Sequence, residues 1–146
     1  MKVSAEGIKL IKRFEGYKSK AYVCAGGKNT IGWGTTTYPN GKKVQPTDEI
    51  DIIKAHDILV WTVALFADRI FTLVGDIDQN KFDALCSFAY NVGITNFQKS
   101  TLLKKVVKDI DDKTIENEFL RWNKASGKIL KGLTLRRVAE WRMFKY

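Results

Sequence analysis

The stretch KRFEGYKSKAYVCAGGKNTIGWGTT, residues 12–36, contains a single acidic residue, Glu15, followed by glycine, threonine and lysine. Glu15 ends an amphipathic pattern over residues 4–15 that predicts a helix, with Ser4 as its N-cap and Gly16 as its stop signal. The acid-free segment after it then changes to a different kind of structure. We therefore expect a helix up to Glu15 and non-helical structure in the glycine-rich segment that follows.

A short β-rich segment follows the first helix. Glycines and β-branched residues over residues 20–45, with a PNG turn at 39–41, predict two or three short strands. We therefore expect an α+β fold. A small N-terminal β-lobe takes up about residues 16–46, and the larger helical lobe takes up about residues 1–15 and 47–146. Both lobes belong to one domain of residues 1–146.

The rest of the chain has helical periodicity. One long helix is predicted from Thr47, its N-cap, to Val74, where Gly75 follows. Gly93 and Gly127 mark connections between later helices. Those helices are expected at residues 79–92, 100–109, 113–124 and 134–145, with Asp78, Ser100, Asp112 and Thr134 as their N-caps.

Composition limits the classes of partner. The chain has 25 Lys and Arg against 16 Asp and Glu, a net charge of +9, which favours anionic partners such as nucleic acid, anionic lipid or bacterial envelope polymers. The basic residues are scattered, which favours a solvated basic surface over a specific polyanion site. No apolar run is long enough for a membrane span, and the N-terminus lacks the pattern of a secretory signal. Two distant cysteines indicate neither a disulfide framework nor a metal site, and no cofactor is implied.

Glu15 is a candidate general acid. It lies at the C-terminal end of its helix, where the helix dipole disfavours an anion, and Phe14 and Tyr17 flank it. Nearby glycines, Gly34 among them, allow a backbone to approach a ligand closely, and Thr30 places a hydroxyl among them. A solvated glutamate at a helix end is the commoner situation. The residues alone therefore indicate only a candidate general acid beside a glycine-rich sheet.

The spacing of three residues carries a resemblance. The chain has FEG at residues 14–16, Cys24 nine positions after Glu15 and Thr30 fifteen positions after Glu15. This pattern resembles the phage-type lysozymes, glycoside hydrolase family 24. In that family eight residues separate Glu from Asp or Cys, and five more residues precede Thr. The similarity covers essentially all 146 residues. Its later blocks are FDALCSFAYNVG at 82–93, STLL at 100–103, FLRWNKASG at 119–127 and GLTLRRVAEWRMF at 132–144.

The resemblance implies a lysozyme-like fold, with two lobes joined by the long helix and a cleft between them. It also implies an endolysin that hydrolyses the β-1,4 bond between N-acetylmuramic acid and N-acetylglucosamine in peptidoglycan for host cell lysis. Glu15 would be the general acid, and Thr30 would hold the attacking water. Asn91 would present an amide to the sugar N-acetyl group or cap its helix instead. Gly34 would contact substrate, and Arg136 would pair with Glu15 or stay solvated.

Cys24 stands where many members of the family have Asp. A neutral thiol is a poor substitute for a carboxylate in accepting a proton or stabilising positive charge. Cys24 would then act as a partial thiolate favoured by Lys20 or Lys28, or Thr30 and water would suffice. Alternatively, Cys24 is a small residue that only packs on a strand. Cys86 is expected in the helical core, and His56 on the surface.

Two other classes of function stay open, along with a related reaction. One is a catalytically weak peptidoglycan-binding relative, suggested by Cys24. The other is a basic nucleic-acid-binding domain, suggested by the charge. Lytic transglycosylation would act on the same substrate. We expect a monomer that binds bacterial peptidoglycan, with no nucleic acid and no stable membrane association. By analogy with the family, it would stay in the host cytoplasm until the membrane is permeabilised and then act in the periplasm and cell wall.

Overall fold

A computed structural model describes residues 1–146 and confirms the α+β class. Seven helices dominate, with two small antiparallel sheets of two strands each. The helices are α1 Ala5–Glu15, α2 Ile52–Val74, α3 Gln79–Val92, α4 Ile94–Lys99, α5 Thr101–Lys108, α6 Ile115–Leu120 and α7 Lys131–Lys145. The strands are β1 Lys18–Val23, β2 Asn29–Gly32, β3 Lys124–Ala125 and β4 Lys128–Ile129.

The chain divides into two compact units. The larger unit contains residues 1–11 and 66–146, and the smaller unit contains residues 12–65. Helices α1 and α2 contribute residues to both units.

The smaller unit is built on the β1–β2 hairpin. Strand pairing places Tyr22 opposite Thr30, and the register shifts between Lys18 and Tyr22. The turn predicted at 39–41 is present, since Gly41 N donates to Tyr38 O at 2.9 Å. The core of this unit is small and aliphatic, and its buried members are Ile31, Val44, Ile50, Ala55 and Ile58.

The larger unit has an aromatic core centred on Phe88. The Phe88 ring meets the edges or faces of Phe97, Phe119 and Trp122 at centroid distances of 6.2, 5.6 and 5.7 Å. Helix α3, which carries Phe88, is buried continuously over residues 82–89, including the polar Ser87. A helix buried on every side offers its polar groups no water, so they must find partners within the protein.

The predicted start of α2 is wrong. The helix begins at Ile52, and Asp51 caps it by accepting a hydrogen bond from Lys54 N at 2.8 Å. Residues 46–48 instead form a turn in which the Asp48 carboxylate accepts from Gln45 N at 2.9 Å and from the Tyr38 hydroxyl at 2.8 Å. Because that carboxylate is already engaged, the acidic residues after Thr47 signal a turn and not a first helical turn.

Other predicted boundaries vary in accuracy. Helix α3 has the predicted bounds, and Ser100 caps α5 through its hydroxyl, which accepts from Leu103 N at 3.1 Å. Thr134 does not cap α7, which begins three residues earlier at Lys131. Helix α4 and the β3–β4 hairpin were not predicted. Both are six residues or shorter, below the length at which periodicity is informative.

No single helix is long and apolar enough to cross a membrane, and α2 and α3 meet those criteria only as a pair bent by 117°. No group of three or more His, Cys, Asp or Glu side chains is arranged to hold a metal ion.

Candidate active site

The turn between β1 and β2 fixes the position of Cys24. Cys24 N donates to Lys28 O at 2.9 Å, and Gly27 N donates to Cys24 O at 2.8 Å. Gly27 has a φ of 79°, a left-handed conformation that favours glycine. Two backbone hydrogen bonds and one glycine therefore hold the cysteine at the end of β1, where its side chain stays partly exposed.

Thr30 lies on the opposite strand, paired with Tyr22. It is only 4% exposed, and its hydroxyl donates to Lys28 O at 3.0 Å. The Lys28 carbonyl thus accepts from both Cys24 N and Thr30 Oγ1, which joins the two predicted site residues through one oxygen.

The hairpin favours the thiolate form of Cys24. A hydrogen bond from the Thr30 hydroxyl is the main cause that lowers the pKa of Cys24, and hydrogen bonds with the backbone at Lys28 and Gly26 add to it. The charges of Lys20 and Lys28, which were expected to favour the thiolate, are not among the causes of the lowered pKa. A hydroxyl has one proton, so Thr30 donates either to Lys28 O or to the sulfur. The Lys28 carbonyl keeps its bond from Cys24 N in either case.

Glu15, Tyr22 and Cys24 share one electrostatic environment. Burial raises the pKa of Tyr22, and the negative charges of Glu15 and Cys24 raise it further. Tyr22 is therefore within electrostatic range of Glu15 and Cys24, and its strand partner across the hairpin is Thr30. Tyr22 was missed in the sequence, although it lies two residues before Cys24 and strand alternation places both on the same face.

The residues that flank Glu15 make defined contacts. The Tyr17 hydroxyl donates to Ile50 O at 2.8 Å, and its ring lies 5.4 Å from that of Trp33. Lys12 Nζ lies 5.0 Å from the Trp33 ring and 2.7 Å from His56 Nδ1. Lys12 and Tyr17, on either side of Glu15, are therefore anchored by aromatic and hydrogen-bonding contacts within the smaller unit.

Gly34 belongs to a tight turn after β2. Ile31 and Thr35 exchange both of their backbone hydrogen bonds at 2.9 Å, and Gly34 between them has a φ of 86°. The backbone conformation alone requires glycine at this position, whether or not a ligand approaches.

Asn91 and Arg136 lie in the larger unit. Asn91 is exposed in the last turn of α3, and its Oδ1 accepts from Arg137 Nη2 at 2.9 Å. Arg136 is 3% exposed and donates to Glu140 Oε1 at 3.0 Å and to Ser87 O at 3.1 Å. The alternative of a solvated Arg136 is therefore wrong.

Glu140 is the centre of a buried ionic network that the sequence analysis did not identify. Its Oε1 accepts from Ser87 Oγ at 2.8 Å, and its Oε2 lies 2.9 Å from Arg137 Nε. Burial raises the pKa of Glu140, and the charges of Arg137 and Arg136 oppose that shift. The signal was available in the sequence, because RRVAE places the arginines three and four residues before the acid on one helix.

Cys86 lies in the aromatic core at 0% exposure, as expected, and burial raises the pKa of its thiol far above the ordinary value. Both cysteines are free. Cys24 is therefore the accessible thiol of the two.

Comparison with known proteins identifies the class. The sequence profile of the family described as Phage lysozyme matches residues 12–140. The endolysin of Acyrthosiphon pisum secondary endosymbiont phage 1 is 38% identical over 150 residues, which cover 99% of both chains. The structure of an endolysin from Escherichia coli O157:H7 phage FAHEc1 superposes with a TM-score of 0.88 at 33% identity, covering 99% of this chain and 93% of the other.

These matches define a lysozyme-like fold of the phage type. The chain belongs to the phage lysozyme family. The endolysin of Bacillus phage B103 is 42% identical over 147 residues, which cover 99% of this chain but 54% of that protein. The chain thus spans about half the length of this relative.

Proposed function

We propose that this chain is the muramidase of an endolysin, which hydrolyses the β-1,4 bond between N-acetylmuramic acid and N-acetylglucosamine in peptidoglycan and so lyses the host cell. The observation that carries the proposal is the hairpin, in which Cys24 N and Thr30 Oγ1 both donate to Lys28 O. The negative charges of Glu15 and Cys24 raise the pKa of Tyr22, the strand partner of Thr30. Glu15, Cys24 and Thr30 also have the spacing of the family. Membership of the phage lysozyme family supports the same activity.

Glu15 donates a proton to the leaving glycosidic oxygen as that bond breaks. A water molecule then forms the new bond to the anomeric carbon from the opposite face of the sugar. The Thr30 oxygen accepts a hydrogen bond from this water while its hydroxyl donates to Lys28 O. The Cys24 thiolate takes the proton that the water loses, which is the role of the carboxylate in relatives with Asp.

Substrate contacts complete the proposal. Asn91 and the backbone at Gly34 contact the glycan chain, whereas the buried Arg136 acts only through the side chains around it. The partner is bacterial peptidoglycan, the protein acts as a monomer, and it does not bind nucleic acid or associate stably with membranes. It acts on the cell wall once the host membrane is permeabilised.

The test is release of reducing ends from purified peptidoglycan. The parent protein is expected to release them, and Glu15→Gln should lower the rate by about 10²-fold or more because the proton donor is lost. Glu6→Gln is the matched control, since Glu6 is an exposed residue of the same helix, and it should leave the rate unchanged. A Glu15→Gln variant as fast as the parent would refute the role of Glu15.

Product analysis separates the related reactions. Direct attack by water should invert the anomeric configuration, which proton NMR of the early product detects. Retention would indicate a covalent intermediate, and an anhydro-muramic product would indicate lytic transglycosylation.

Cys24 also supports a second candidate, a catalytically weak protein that binds the wall. Such a protein would sediment with peptidoglycan without releasing reducing ends. Restored release in the Cys24→Asp variant would then show that the thiol limits the reaction.

A further inference from the structure

Two cavities of the smaller unit share part of their lining. One has a volume of about 540 Å³ and the other about 280 Å³, and Lys43 and Gln45 line both. The larger cavity is bounded by the loop around Tyr38 and by the start of α2. The smaller cavity is bounded by the turn between β1 and β2 and by Thr36 and Thr37. Together the cavities have room for an extended ligand.

The fold collects lysines that are scattered in the sequence. An isolated backbone bridge pairs Lys43 with Thr37, and both residues line the smaller cavity. The lysines that line one cavity or both are Lys28, Lys42, Lys43 and Lys54. None of these four ammonium groups forms a hydrogen bond or an ion pair within the protein. Their charges are therefore available to a ligand.

The acidic residues of the lining are already engaged. The Asp48 carboxylate accepts from the Tyr38 hydroxyl at 2.8 Å and from Gln45 N at 2.9 Å. Glu49 Oε1 lies 3.8 Å from the Nζ of Lys20, which lines neither cavity. The smaller cavity has no acidic lining residue at all. Because charges of one sign in a concave surface add to the same local potential, the lining favours an anionic ligand.

Uncharged polar groups line the same cavities. The hydroxyl groups of Thr36 and Thr37 form no hydrogen bond within the protein. The Gln45 side chain donates to Lys43 O at 3.2 Å, which leaves its Oε1 as an acceptor. Such groups bind hydroxyl groups as well as charged oxygens. A ligand that carries both phosphates and polyol hydroxyls therefore matches both sets of lining groups.

Two other polyanions match this lining less well. Proteins hold single-stranded nucleic acid by stacking its bases on aromatic rings. Tyr38 is the one aromatic residue of the lining, and its hydroxyl is held by Asp48. Stable attachment to a membrane needs apolar side chains that can insert into it. The valine and the two isoleucines of the lining are only 2–8% exposed, so they cannot do so.

We propose that the two cavities bind successive phosphates of a phosphodiester-linked polyol polymer of the bacterial wall through the four lysines. The choice of a wall polymer rests on the proposed function, whereas the preference for a polyanion follows from the lining. The Lys28 side chain lines the smaller cavity, and its carbonyl accepts from Cys24 N and Thr30 Oγ1. The bound polymer therefore holds the protein on the wall beside the candidate active site and takes no part in the cleavage.

The first test is calorimetric titration with poly(glycerol phosphate), which has no glycosidic bond to hydrolyse. The parent protein should bind it, and a triple variant should bind it about tenfold more weakly, because several individually weak charge contacts are lost together. The three changes are Lys42→Gln, Lys43→Gln and Lys54→Gln. A parent protein that does not bind this polymer would overturn the proposal.

A matched control separates the cavities from net charge. Three exposed lysines of α4 and α5, in the larger unit, line neither cavity, and their change to Gln removes the same charge. The control changes are Lys99→Gln, Lys104→Gln and Lys108→Gln. The control variant should bind the polymer as the parent does. Equal weakening in both variants, or equally tight binding of a single-stranded DNA with the same number of charges, would overturn the proposal.

Sedimentation with insoluble walls separates the polymer from peptidoglycan. Hydrofluoric acid hydrolyses phosphodiester bonds and leaves the glycan strands in place. The parent should sediment better with walls that carry poly(glycerol phosphate) than with the same walls after extraction, and the cavity variant should lose this difference. Lysine-dependent binding that survives the extraction would assign the cavities to peptidoglycan itself and overturn the proposal.

The same extracted walls keep this inference distinct from the proposed activity. The parent and the cavity variant should release reducing ends from them at the same rate, since none of the three changed lysines belongs to the proposed active site. A protein that binds the polymer but releases no reducing ends would contradict only the proposed activity. A protein that releases reducing ends but binds the polymer independently of the cavity lysines would contradict only this inference.

Discussion

The β1–β2 hairpin and the Glu140 network hold functional groups in opposite ways. In the hairpin, backbone hydrogen bonds around Lys28 O hold Cys24 and Thr30, and the thiol stays partly exposed. In the network, two arginines and one glutamate hold one another at 0–3% exposure. The Cys24 side chain can therefore change with little loss of stability, whereas the side chains of the network cannot.

The reason is desolvation. Removing charges from water is costly, and the cost is recovered only if every partner is present with good geometry. Backbone hydrogen bonds and not a buried ion pair hold Cys24, so its position survives a change of its side chain.

Glu140→Gln should have the largest effect on stability. It leaves two buried guanidiniums without their shared carboxylate, at a cost of about 3–5 kcal/mol in the free energy of unfolding measured with urea. Glu118→Gln is the matched control. Glu118 is also 2% exposed, but the side chains of its partners Lys105 and Arg121 are 29% and 74% exposed, so water can replace the lost contact. Equal losses for the two variants would mean that burial of the partner cations does not add to the cost of losing the carboxylate.

Cys24 variants should affect activity and leave stability nearly unchanged. Cys24→Ala should slow peptidoglycan hydrolysis by about 10²-fold, and Cys24→Asp should stay active, because only the second keeps a group that accepts a proton. The free energy of unfolding should change by about 0.5 kcal/mol or less.

Alkylation of Cys24 should inhibit the parent protein, and bound substrate should protect it. Cys86 should react slowly because it is buried. If Cys24→Ala is as fast as the parent, the thiol only packs, and Glu15 with the water held by Thr30 carries the reaction alone.

Thr30→Val should change the reactivity of Cys24. It removes the main cause that lowers the pKa of Cys24, so that pKa rises and less thiolate is present at neutral pH. The pH profile of the Cys24 alkylation rate, measured in a Cys86→Ala background, should move to higher pH. Thr35→Val, the same change at another buried threonine, should leave the profile in place.

The smallest effect is expected for Tyr38, which lies outside the proposed site. Burial, followed by the hydrogen bond and charge of Asp48, raises the pKa of Tyr38 from 10.0 to about 12. The folded state holds the phenol proton of Tyr38 more tightly than the unfolded state does. The stabilisation that results is complete below pH 10 and is lost as the pH rises toward 12.

Asp48→Asn should lower the pKa of Tyr38, measured by ultraviolet absorbance, while leaving it above the ordinary value because burial remains. Tyr38→Phe should remove this part of the alkaline loss of stability. An unchanged Tyr38 titration in Asp48→Asn would mean that burial alone sets the shift.

Short-range sequence patterns predicted the secondary structure correctly where the tertiary contacts of the same residues did not oppose them. The bounds of α3 and the cap at Ser100 depend on side chains that act within one turn, and both predictions are confirmed. The start of α2 was wrong because the Asp48 carboxylate is engaged by Tyr38, ten residues earlier in the chain. A distant contact of this kind leaves no trace in a short window of sequence.

The α+β class, the hairpin and the spacing of Glu15, Cys24 and Thr30 could be read from the sequence, because turn glycines, caps and strand alternation act over a few residues. Which of these residues influence one another depends on the folded structure. It added Tyr22 to the group and showed that Thr30, not a lysine, lowers the pKa of Cys24. It also buried Arg136, Arg137 and Glu140 together with Ser87. The sequence shows charges, but burial, which depends on how whole helices pack, decides whether those charges face water or one another.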